Sequence, residues 1–473
     1  MIALLFALLA APSPEELAVR LRYLSGAGSA EAPAPSPDGQ RLAFVTTLFG
    51  APQAASMAVD GGYPFQLTDE PGGVLAVRWA PGETHVLLAV ARREGRQRLL
   101  FLDEEGAPPL EVDSAPGDQL PGGFSKDGKK LFYAVVDQGK AALKQIPLDT
   151  RKPAAIAPPP PAAGQQPARD SVGLDELLPG LFAVGPVSPD GRQVVVLLKR
   201  DQGETLALVD VATARGDLLV PAQGHWRSPR FSPDGKTIYA LTDAGRKTLG
   251  VDALALSPRG RKTVYAPPSD VEAYAISDDG HRLAVGVHQE GETLFSLLEL
   301  PSLRPQPLPE PPAGALTPAA PGEPAISWNR AGDRIYFGWR LSDDTPDVWA
   351  FRLGYGTPVR LTRSPRPGLA RRSIPRPALV KIAGQTGWLW RPDDAQKPRV
   401  VLLDSSHELR PVFDKRITAL NVAGFAVLGF NGPRGTALSW LKEQQDLDGE
   451  KPAVIDWDSA GNDLPALVKQ ASR

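Results

Sequence analysis

One short segment near the end of the chain has the residue types of a serine nucleophile. The segment WDSAG at 457–461 follows an apolar run at 453–455. It resembles the Gly-x-Ser-x-Gly turn that presents a nucleophilic serine between a strand and a helix. Ser459 and Gly461 match this pattern, but Trp457 stands at the first glycine position, where a tight turn has little room for a large side chain. Ser459 is therefore a candidate catalytic nucleophile in a turn that departs from the pattern.

Other reactive groups are scarce in the sequence. A serine hydroxyl needs an adjacent base, usually histidine, to attack near neutral pH. All five histidines precede Ser459, and only His407 belongs to the C-terminal region. The chain has no cysteine, no P-loop, no glycine-rich dinucleotide motif and no histidine pair at metal-ligand spacing. The sequence therefore predicts no metal site and no cofactor, and it identifies no histidine or aspartate partner for Ser459.

The elements that would position these residues begin with a repeated turn. The phrase Ser-Pro-Asp-Gly, or a variant of it, precedes a short apolar strand seven times, with glycines at 39, 82, 128, 191, 235, 280 and 332. The intervals are 43, 46, 63, 44, 45 and 52 residues. Asp-Gly supplies the positive φ of a tight turn, and the proline presets the preceding φ. This period and pattern are typical of the blades of a β-propeller, and they disfavour a β-sandwich of unrelated hairpins.

The two ends of the chain lie outside the repeat. Residues 1–12 are predicted to be a signal peptide, because 2–11 form an apolar run that ends in small residues; the alternatives are a misassigned start and a buried N-terminal segment. Ser13, Pro14 and Glu16 predict a capped helix within an N-terminal helix and linker at 13–30. Towards the C-terminus, apolar runs at 400–403, 426–430 and 453–455 alternate with helical segments at 412–423 and 440–445. That alternation predicts a mainly parallel sheet.

The whole order resembles the prolyl oligopeptidase (S9) family of serine peptidases. The segments that carry the resemblance are SPEEL at 13–17, GWLWRP at 387–392, AGFAVL at 423–428 and NGPRG at 431–435. The propeller turns are also shared with TolB-like proteins, in which the α/β domain precedes the propeller. The resemblance implies a mainly β fold, with a seven-bladed β-propeller at 31–370 followed by a partial α/β-hydrolase-like domain at 371–473.

The resemblance also implies where catalytic groups would lie, and the sequence departs from the family there. Asp404, Ser405 and Ser406 occupy the oxyanion-loop position, where the family has His-Gly-Gly. A carboxylate at that place would oppose the negative charge that develops during catalysis. The family's catalytic aspartate and histidine lie well beyond the nucleophile, but this chain ends 14 residues after Ser459. We therefore expect a degenerate or truncated catalytic domain with only three or four strands.

By the same resemblance, the strand before each repeated turn lines the propeller channel. Aromatic and arginine side chains suit recognition surfaces. The ligand-binding candidates from these segments are Arg78, Trp79, His225, Trp226, Arg227, Tyr274 and Trp328. The competing interpretation for each of them is ordinary packing in the propeller core.

Composition narrows the choice of partners. The net charge is −2, with no basic stripe that would indicate nucleic-acid binding. No apolar run is long enough to span a bilayer, so we do not expect an integral membrane protein. A partial parallel sheet leaves an unpaired edge, which predicts a homodimer or a partner chain that covers it.

Three functions remain open from the sequence. The first is an exported, periplasmic or secreted pseudo-hydrolase that binds a peptide or protein through its propeller, without catalysis. The second is an active serine peptidase or esterase that uses Ser459. The third is a TolB-like envelope scaffold. The departures at Trp457 and Asp404 favour the first of these, so the chain is expected not to be an enzyme.

Overall fold

A computed structural model describes residues 12–82, 85–103, 107–157, 171–320, 322–370, 374–392 and 397–472. Residues 1–11 of the predicted signal peptide lie outside these ranges, as does Glu83 in the second copy of the repeated turn. The described residues form a ring of seven β-sheets followed by a mixed α/β sheet. The predicted seven-bladed propeller is therefore confirmed.

The repeated turn owes its shape to a shared hydrogen-bond pattern. In the fifth copy the hydroxyl of Ser232 donates to Asp234 at 2.6 Å, and Gly235 has a φ of +73°. The serine-to-aspartate distance is 2.5–2.6 Å in all five copies that have both residues. These hydrogen bonds, with those from following backbone amides, hold the pKa of the turn aspartates below its usual range. In the seventh copy Asn329 replaces the serine, and its amide oxygen accepts from two following amides.

Each repeat builds one antiparallel blade, because every turn reverses the chain between neighbouring strands. The first three blades contain β1 (Ala30–Pro35), β2 (Arg41–Thr46), β3 (Gln53–Ala58) and β4 (Phe65–Gln66); β5 (Val74–Trp79), β6 (Leu87–Arg93), β7 (Arg96–Leu102) and β8 (Leu110–Glu111); and β9 (Asp118–Phe124), β10 (Lys130–Asp137), β11 (Lys140–Pro147) and β12 (Ala154–Ala155). A twelve-residue helix, α1 (Pro14–Ser25), precedes them.

The remaining four blades follow the same plan with two additions. Blade 4 has β13 (Val172–Gly173), the short helix α2 (Leu174–Leu177), β14 (Leu181–Val187), β15 (Gln193–Arg200), β16 (Gly203–Asp210) and β17 (Arg215–Leu218). Blades 5 and 6 have β18 (Trp226–Phe231), β19 (Thr237–Thr242), β20 (Gly250–Leu256) and β21 (Arg259–Tyr265); and β22 (Val271–Ile276), β23 (Arg282–Gln289), β24 (Glu292–Glu299) and β25 (Pro305–Gln306). Blade 7 has β26 (Gly314–Leu316), β27 (Ile326–Trp328), β28 (Arg334–Leu341), β29 (Asp347–Arg352) and β30 (Val359–Arg360).

Blade 7 differs from the others at the channel. Its inner edge is divided, because β26 and β27 both pair with β28. The connection between them leaves the sheet and contributes to the walls of two cavities described below.

The ring closes between blade 1 and blade 7 without a shared strand. Apolar side chains of the two blades form one cluster, which includes Phe44 and Met57 from blade 1 and Tyr336 and Val348 from blade 7. At the rim, Asp60 of blade 1 forms ion pairs of 2.8 and 2.5 Å with two arginines of blade 7. The closure therefore depends on side-chain packing and charge pairing.

The C-terminal domain is a five-stranded mixed sheet with helices on both faces. Its elements are β31 (Ala378–Ile382), β32 (Gln385–Trp390), β33 (Arg399–Asp404), α3 (Lys415–Val422), β34 (Ala426–Phe430), α4 (Arg434–Glu443), β35 (Asp448–Asp456) and α5 (Leu464–Ala471). The sheet order is β31-β32-β34-β33-β35, with β33 parallel to both of its neighbours and β32 antiparallel to both of its own. The expectation of three or four strands is therefore wrong in number, because the hairpin β31–β32 extends the sheet. The three predicted apolar runs form β33, β34 and β35, which are parallel as expected.

Strand β33 is buried on both faces, which explains its continuous apolar run. Val401 and Leu403 pack towards α3 and α5, whereas Val400 and Leu402 pack towards α4. Helix α1 joins the first of these cores through Leu21 and Leu24. The capping box at Ser13 is present, with hydrogen bonds in both directions between Ser13 and Glu16. The N-terminal helix thus packs on the C-terminal domain.

Among the described residues, no helix combines the length and the apolar character needed to cross a membrane.

The repeated turn gives a first test. We expect Gly235→Ala to lower the free energy of unfolding by about 1–2 kcal/mol, because its φ of +73° is unfavourable for a residue with a Cβ. Urea unfolding followed by tryptophan fluorescence measures this change. Gly260→Ala in β21 is the matched control, because its φ is not positive and its Cβ would meet open space. Equal losses of stability in the two variants would contradict the argument.

Candidate functional site

A cavity of about 1070 Å³ lies between the propeller and the C-terminal domain. Its propeller wall comes from the inner strands β14, β18 and β22, and from the connection between β26 and β27. Its opposite wall comes from residues between 405 and 417, which follow β33, and from Trp457 and Asp458, which follow β35. Because both loops leave the carboxyl ends of parallel strands, the sheet brings them to one edge above the channel.

A second cavity of about 380 Å³ lies at the channel among the turns of blades 1 and 2. Glu323 and Pro324 line both cavities. Arg78 of blade 2 reaches across and pairs with Glu323 at 2.7 Å, and it donates to the carbonyl of Gly122 in blade 3 at 2.7 Å. This ion pair therefore joins three blades between the two cavities.

Three aromatic candidates join adjacent blades. Trp79 donates from its indole nitrogen to the inner strand of the preceding blade at 3.0 Å, and Trp328 does the same at 3.1 Å. The hydroxyl of Tyr274 donates to the inner strand of its preceding blade at 2.7 Å, and burial raises the pKa of this phenol. Trp226 is fully buried, with the guanidinium of Arg261 over its ring at 5.2 Å. Although all four rings line a cavity wall, their polar atoms are engaged by the propeller itself.

The remaining candidates from the inner strands differ from one another. His225 is exposed and its ring pairs with Asp243 of the same blade at 2.8 Å. Arg227 lines the larger cavity and is exposed, and its side chain forms no hydrogen bond or ion pair with the described residues. Arg78 is held by Glu323, as described above. Among these three, only Arg227 offers a free charge to a ligand.

Ser459 lies on an exposed turn after β35. Its hydroxyl donates to the carboxylate of Asp456 at 2.8 Å, and no described histidine contacts it. Its φ is not positive, and α5 begins five residues later, at Leu464. The strained turn of a nucleophile leads directly from strand to helix. Ser459 therefore lacks the local geometry of that turn.

Asp458, the residue before Ser459, meets the loop that follows β33. Its carboxylate accepts from the hydroxyl of Ser405 at 2.7 Å, and from the amide and hydroxyl of Ser406 at 2.7 and 2.6 Å. These hydrogen bonds hold the pKa of Asp458 well below its usual range. The hydrogen-bond donors of the loop after β33 therefore bind a carboxylate of the protein itself. The side chain of Asp404 is exposed at the end of β33.

His407 completes this group without forming a proton relay. Its Nδ1 lies 3.1 Å from the hydroxyl of Ser406 and 3.3 Å from the carboxylate of Asp458. A relay needs the carboxylate on one ring nitrogen and the serine on the other, whereas here one nitrogen faces both. Its side chain is also 83% exposed. The arrangement can fix the loop, but it is not arranged to activate a serine.

An ionic cluster joins the propeller to the C-terminal domain at the cavity wall. His288 of blade 6 contacts Glu272 through Nδ1 and Glu408 through Nε2, both at 3.0 Å, and Arg410 also binds Glu272. Burial opposes the charge on Glu272, but hydrogen bonds from His288 and Arg410 outweigh it and lower its pKa to about 2. The hydrogen bonds to Glu272 and Glu408 raise the pKa of His288 to about 9 despite partial burial. His288 is therefore a cation at neutral pH.

Sequence reasoning missed several of the charged residues at this site. Glu272 and Arg410 lie 138 positions apart, and Arg230 and Arg340 belong to strands whose patterns indicate only the propeller. A charged residue on an inner strand was the available signal. It identified Arg78 and Arg227 but not these residues.

Within the described ranges, no group of three or more histidine, aspartate or glutamate side chains is placed to hold a metal ion.

Comparison with solved structures shows that this fold is shared. A prolyl endopeptidase aligns with a TM-score of 0.66 at 16% identity, over 90% of this chain and 64% of its own length. A puromycin-hydrolysing peptidase from Mycobacterium tuberculosis aligns with a TM-score of 0.66 at 16% identity, over 89% of this chain and 68% of its own. A puromycin hydrolase aligns with a TM-score of 0.68 at 14% identity, over 90% and 70% of the two chains.

At these identities the likeness shows the fold alone. The chain spans 64% of the length of the prolyl endopeptidase. These neighbours belong to the S9 peptidases, the family that the sequence resembles. No protein-family model and no curated protein matches the chain.

The ionic cluster gives a prediction about pH. His288 has a raised pKa in the folded protein, so its contribution to stability is full below its ordinary pKa of 6.5 and is lost as the pH rises through about 9. Glu272 has a lowered pKa, so its contribution is full above 4.5 and is lost as the pH falls through about 2. We expect His288→Gln to destabilise the protein more at about pH 6 than at about pH 10.

Urea unfolding of wild type and variant at both pH values measures this difference. His281→Gln, on the exposed turn of the sixth repeat, is the control that should show no such change. A His288→Gln effect that is the same at both pH values would rule out a charged His288 as the reason for its stabilising contacts.

Proposed function

We propose that this chain is a non-catalytic relative of the S9 peptidases that binds a peptide, or an extended segment of a protein, between its propeller and its C-terminal domain. The observation that carries the proposal is the cavity of about 1070 Å³ at this junction. Such a cavity is large enough for several residues of an extended peptide. Its wall mixes apolar, aromatic and charged side chains, as peptide sites do.

We also propose that the C-terminal domain is a partial α/β-hydrolase domain. The predicted propeller region at 31–370 is 340 of 473 residues, so an alignment over 90% of the chain includes part of the C-terminal domain. Parallel strands with helices on both faces support the same relationship. The edge strand β35 is open on one side, which supports a second copy or a partner chain as its cover.

The absence of catalysis is supported by the surroundings of the hydroxyl groups. Ser459 donates to Asp456, and Ser406 shares Asp458 with His407 through a single ring nitrogen. Asp458 brings negative charge to the loop where a hydrolase would stabilise an oxyanion. Each feature opposes nucleophilic attack by a serine.

Export to the periplasm or the cell exterior stays part of the proposal. It depends on the apolar run at 2–11, which indicates a signal peptide. A TolB-like scaffold role would use the same location, but it would not need the cavity.

A fluorophosphonate probe tests the absence of catalysis. We expect no covalent labelling of the wild type, because no described base activates Ser459 or Ser406. The label is read by mass spectrometry of the intact protein, and Ser459→Ala and Ser406→Ala identify the labelled residue. Labelling that disappears in either variant would establish an activated serine and replace this proposal with a serine hydrolase.

Binding of peptides tests the use of the cavity. We expect a random pool of short fluorescent peptides to bind the wild type, and Ala319→Trp to weaken that binding about tenfold by filling the cavity. Fluorescence anisotropy measures both affinities. Ala142→Trp, at an exposed position of β11 away from the cavity, is the matched control and should bind as the wild type does. Equal binding by both variants would place the peptide site elsewhere.

A further inference from the structure

The charged groups that line the larger cavity are not evenly matched. Its seven carboxylates all have partners among the described residues: Glu204 and Asp270 accept from backbone amides, Glu272 and Glu408 pair with His288, Glu323 pairs with Arg78, Asp414 pairs with Arg416, and Asp458 accepts from two serines. Arg410 and Arg416 are paired in the same way. Three further arginines of the wall, Arg227, Arg230 and Arg340, form no ion pair with the described residues.

Arg230 lies deep in the channel, on the inner strand of blade 5. Within the described part of the chain, the only hydrogen bond of its side chain goes to the neighbouring carbonyl of Pro229, at 2.9 Å. The charged side chains that act on it are Arg78 and Glu323, which are already paired with each other. Protein surrounds the side chain, and burial lowers the pKa of its guanidinium, but the side chain keeps accessible surface because it faces the cavity.

Arg340, on the inner part of blade 7, also lacks an ion-pair partner among the described residues. Its Nη2 donates to the carbonyl of Leu316 at 3.2 Å, while its Nε is buried and has no hydrogen-bond partner. Arg410, Glu31, Asp414 and Glu272 are the charges that act on it, and none of them forms an ion pair with it. A buried donor is thus left unsatisfied at the wall of the cavity.

These observations have a direct energetic consequence. A guanidinium does not lose its proton in a protein, so burial cannot be relieved by neutralisation. A buried charge without a partner is costly, and a buried donor without an acceptor adds to that cost. An anionic group that enters the cavity would supply acceptors to both, whereas a cation would supply none.

We propose that the ligand of this cavity is an acidic peptide whose carboxylates are bound by Arg230 and Arg340. The inference rests on the proposed function and adds the chemistry of the ligand. Arg227, exposed in the same wall, adds positive charge along the path into the cavity. A carboxylate is planar and accepts two hydrogen bonds, which matches the donor geometry of a guanidinium.

The test compares three pools of short peptides that carry a neutral coumarin label. The first pool is rich in glutamate and has an amidated C-terminus. The second replaces every glutamate by glutamine, and the third is the glutamine pool with a free C-terminal carboxylate. Fluorescence anisotropy at one fixed ionic strength gives the affinity of each pool for the full-length chain.

We expect a carboxylate-bearing pool to bind at least about tenfold more tightly than the amidated glutamine pool. The glutamate pool and the free C-terminus distinguish a side-chain carboxylate from a terminal one. Arg230→Gln and Arg340→Gln should each remove most of this preference. Arg330→Gln, an exposed arginine of the smaller cavity, makes the same change in net charge and should leave the preference unchanged.

Loss of folding cannot imitate this result, because Arg230→Gln removes an unpaired buried charge. In the absence of peptide this variant should unfold at the same urea concentration as the wild type, or at a higher one. Arg230→Lys keeps the charge and should retain part of the preference for carboxylates.

The outcomes separate the two proposals. If all three pools bind equally and the arginine variants change nothing, the cavity binds peptides but the inference about carboxylates is wrong. If no pool binds and glutarate, added alone, leaves the unfolding temperature of the wild type unchanged, both proposals are wrong. A third outcome is that no peptide binds, but glutarate, added alone, raises the unfolding temperature of the wild type and not that of Arg230→Gln. In that case the carboxylate site is supported and the proposed peptide function is wrong.

Discussion

Each blade of the propeller has two apolar faces, and only the neighbouring blades can cover them. This constraint determines the rest of the structure, because a ring of such sheets is stable only when the last blade packs on the first. The closing interface buries Phe44 and Met57 against Tyr336 and Val348, and Asp60 pairs with arginines across the rim. No strand is exchanged, so the closure depends on side-chain packing and charge pairing.

Closure also explains the position of the C-terminal domain. Because the chain starts and finishes the ring at adjacent blades, its two ends emerge close together. Helix α1 therefore reaches the C-terminal sheet and packs on α3 and α5. The loop after β33 then lies over blade 6, where Glu408 and Arg410 meet His288 and Glu272. The larger cavity lies between these interdomain contacts and the propeller channel.

The chemistry of the cavity follows from how its charges are shared. The carboxylate of Glu272 takes part in the contacts that hold the two domains together. The carboxylate of Glu323 pairs with Arg78 across the channel. The hydroxyl groups of Ser405 and Ser406 are likewise committed to Asp458. What remains unmatched is positive, on Arg227, Arg230 and Arg340. A fold shared with peptidases thus has the hydroxyl groups of Ser405 and Ser406 bonded to Asp458, and arginines without a carboxylate partner in the cavity wall.

The sequence by itself determined the elements whose signals are local. Five of the seven turns follow from serine, aspartate and glycine at fixed offsets, because hydrogen bonds within six residues and a positive φ define them. The capping box at Ser13 and the buried strands β33 and β34 follow from local pattern as well. Helix α3 begins at Lys415, later than the sequence pattern indicated, because Asp414 caps it.

Only the tertiary structure decided which side chains meet. In the folded chain, the indole and phenol groups of Trp79, Tyr274 and Trp328 donate hydrogen bonds to neighbouring blades. The carboxylate of Asp458 accepts hydrogen bonds from Ser405 and Ser406, more than 50 positions away. The tertiary structure also left Arg230 and Arg340 without a carboxylate. Such contacts have no sequence signature, because they depend on the curvature of the ring and on how the C-terminal domain sits on it.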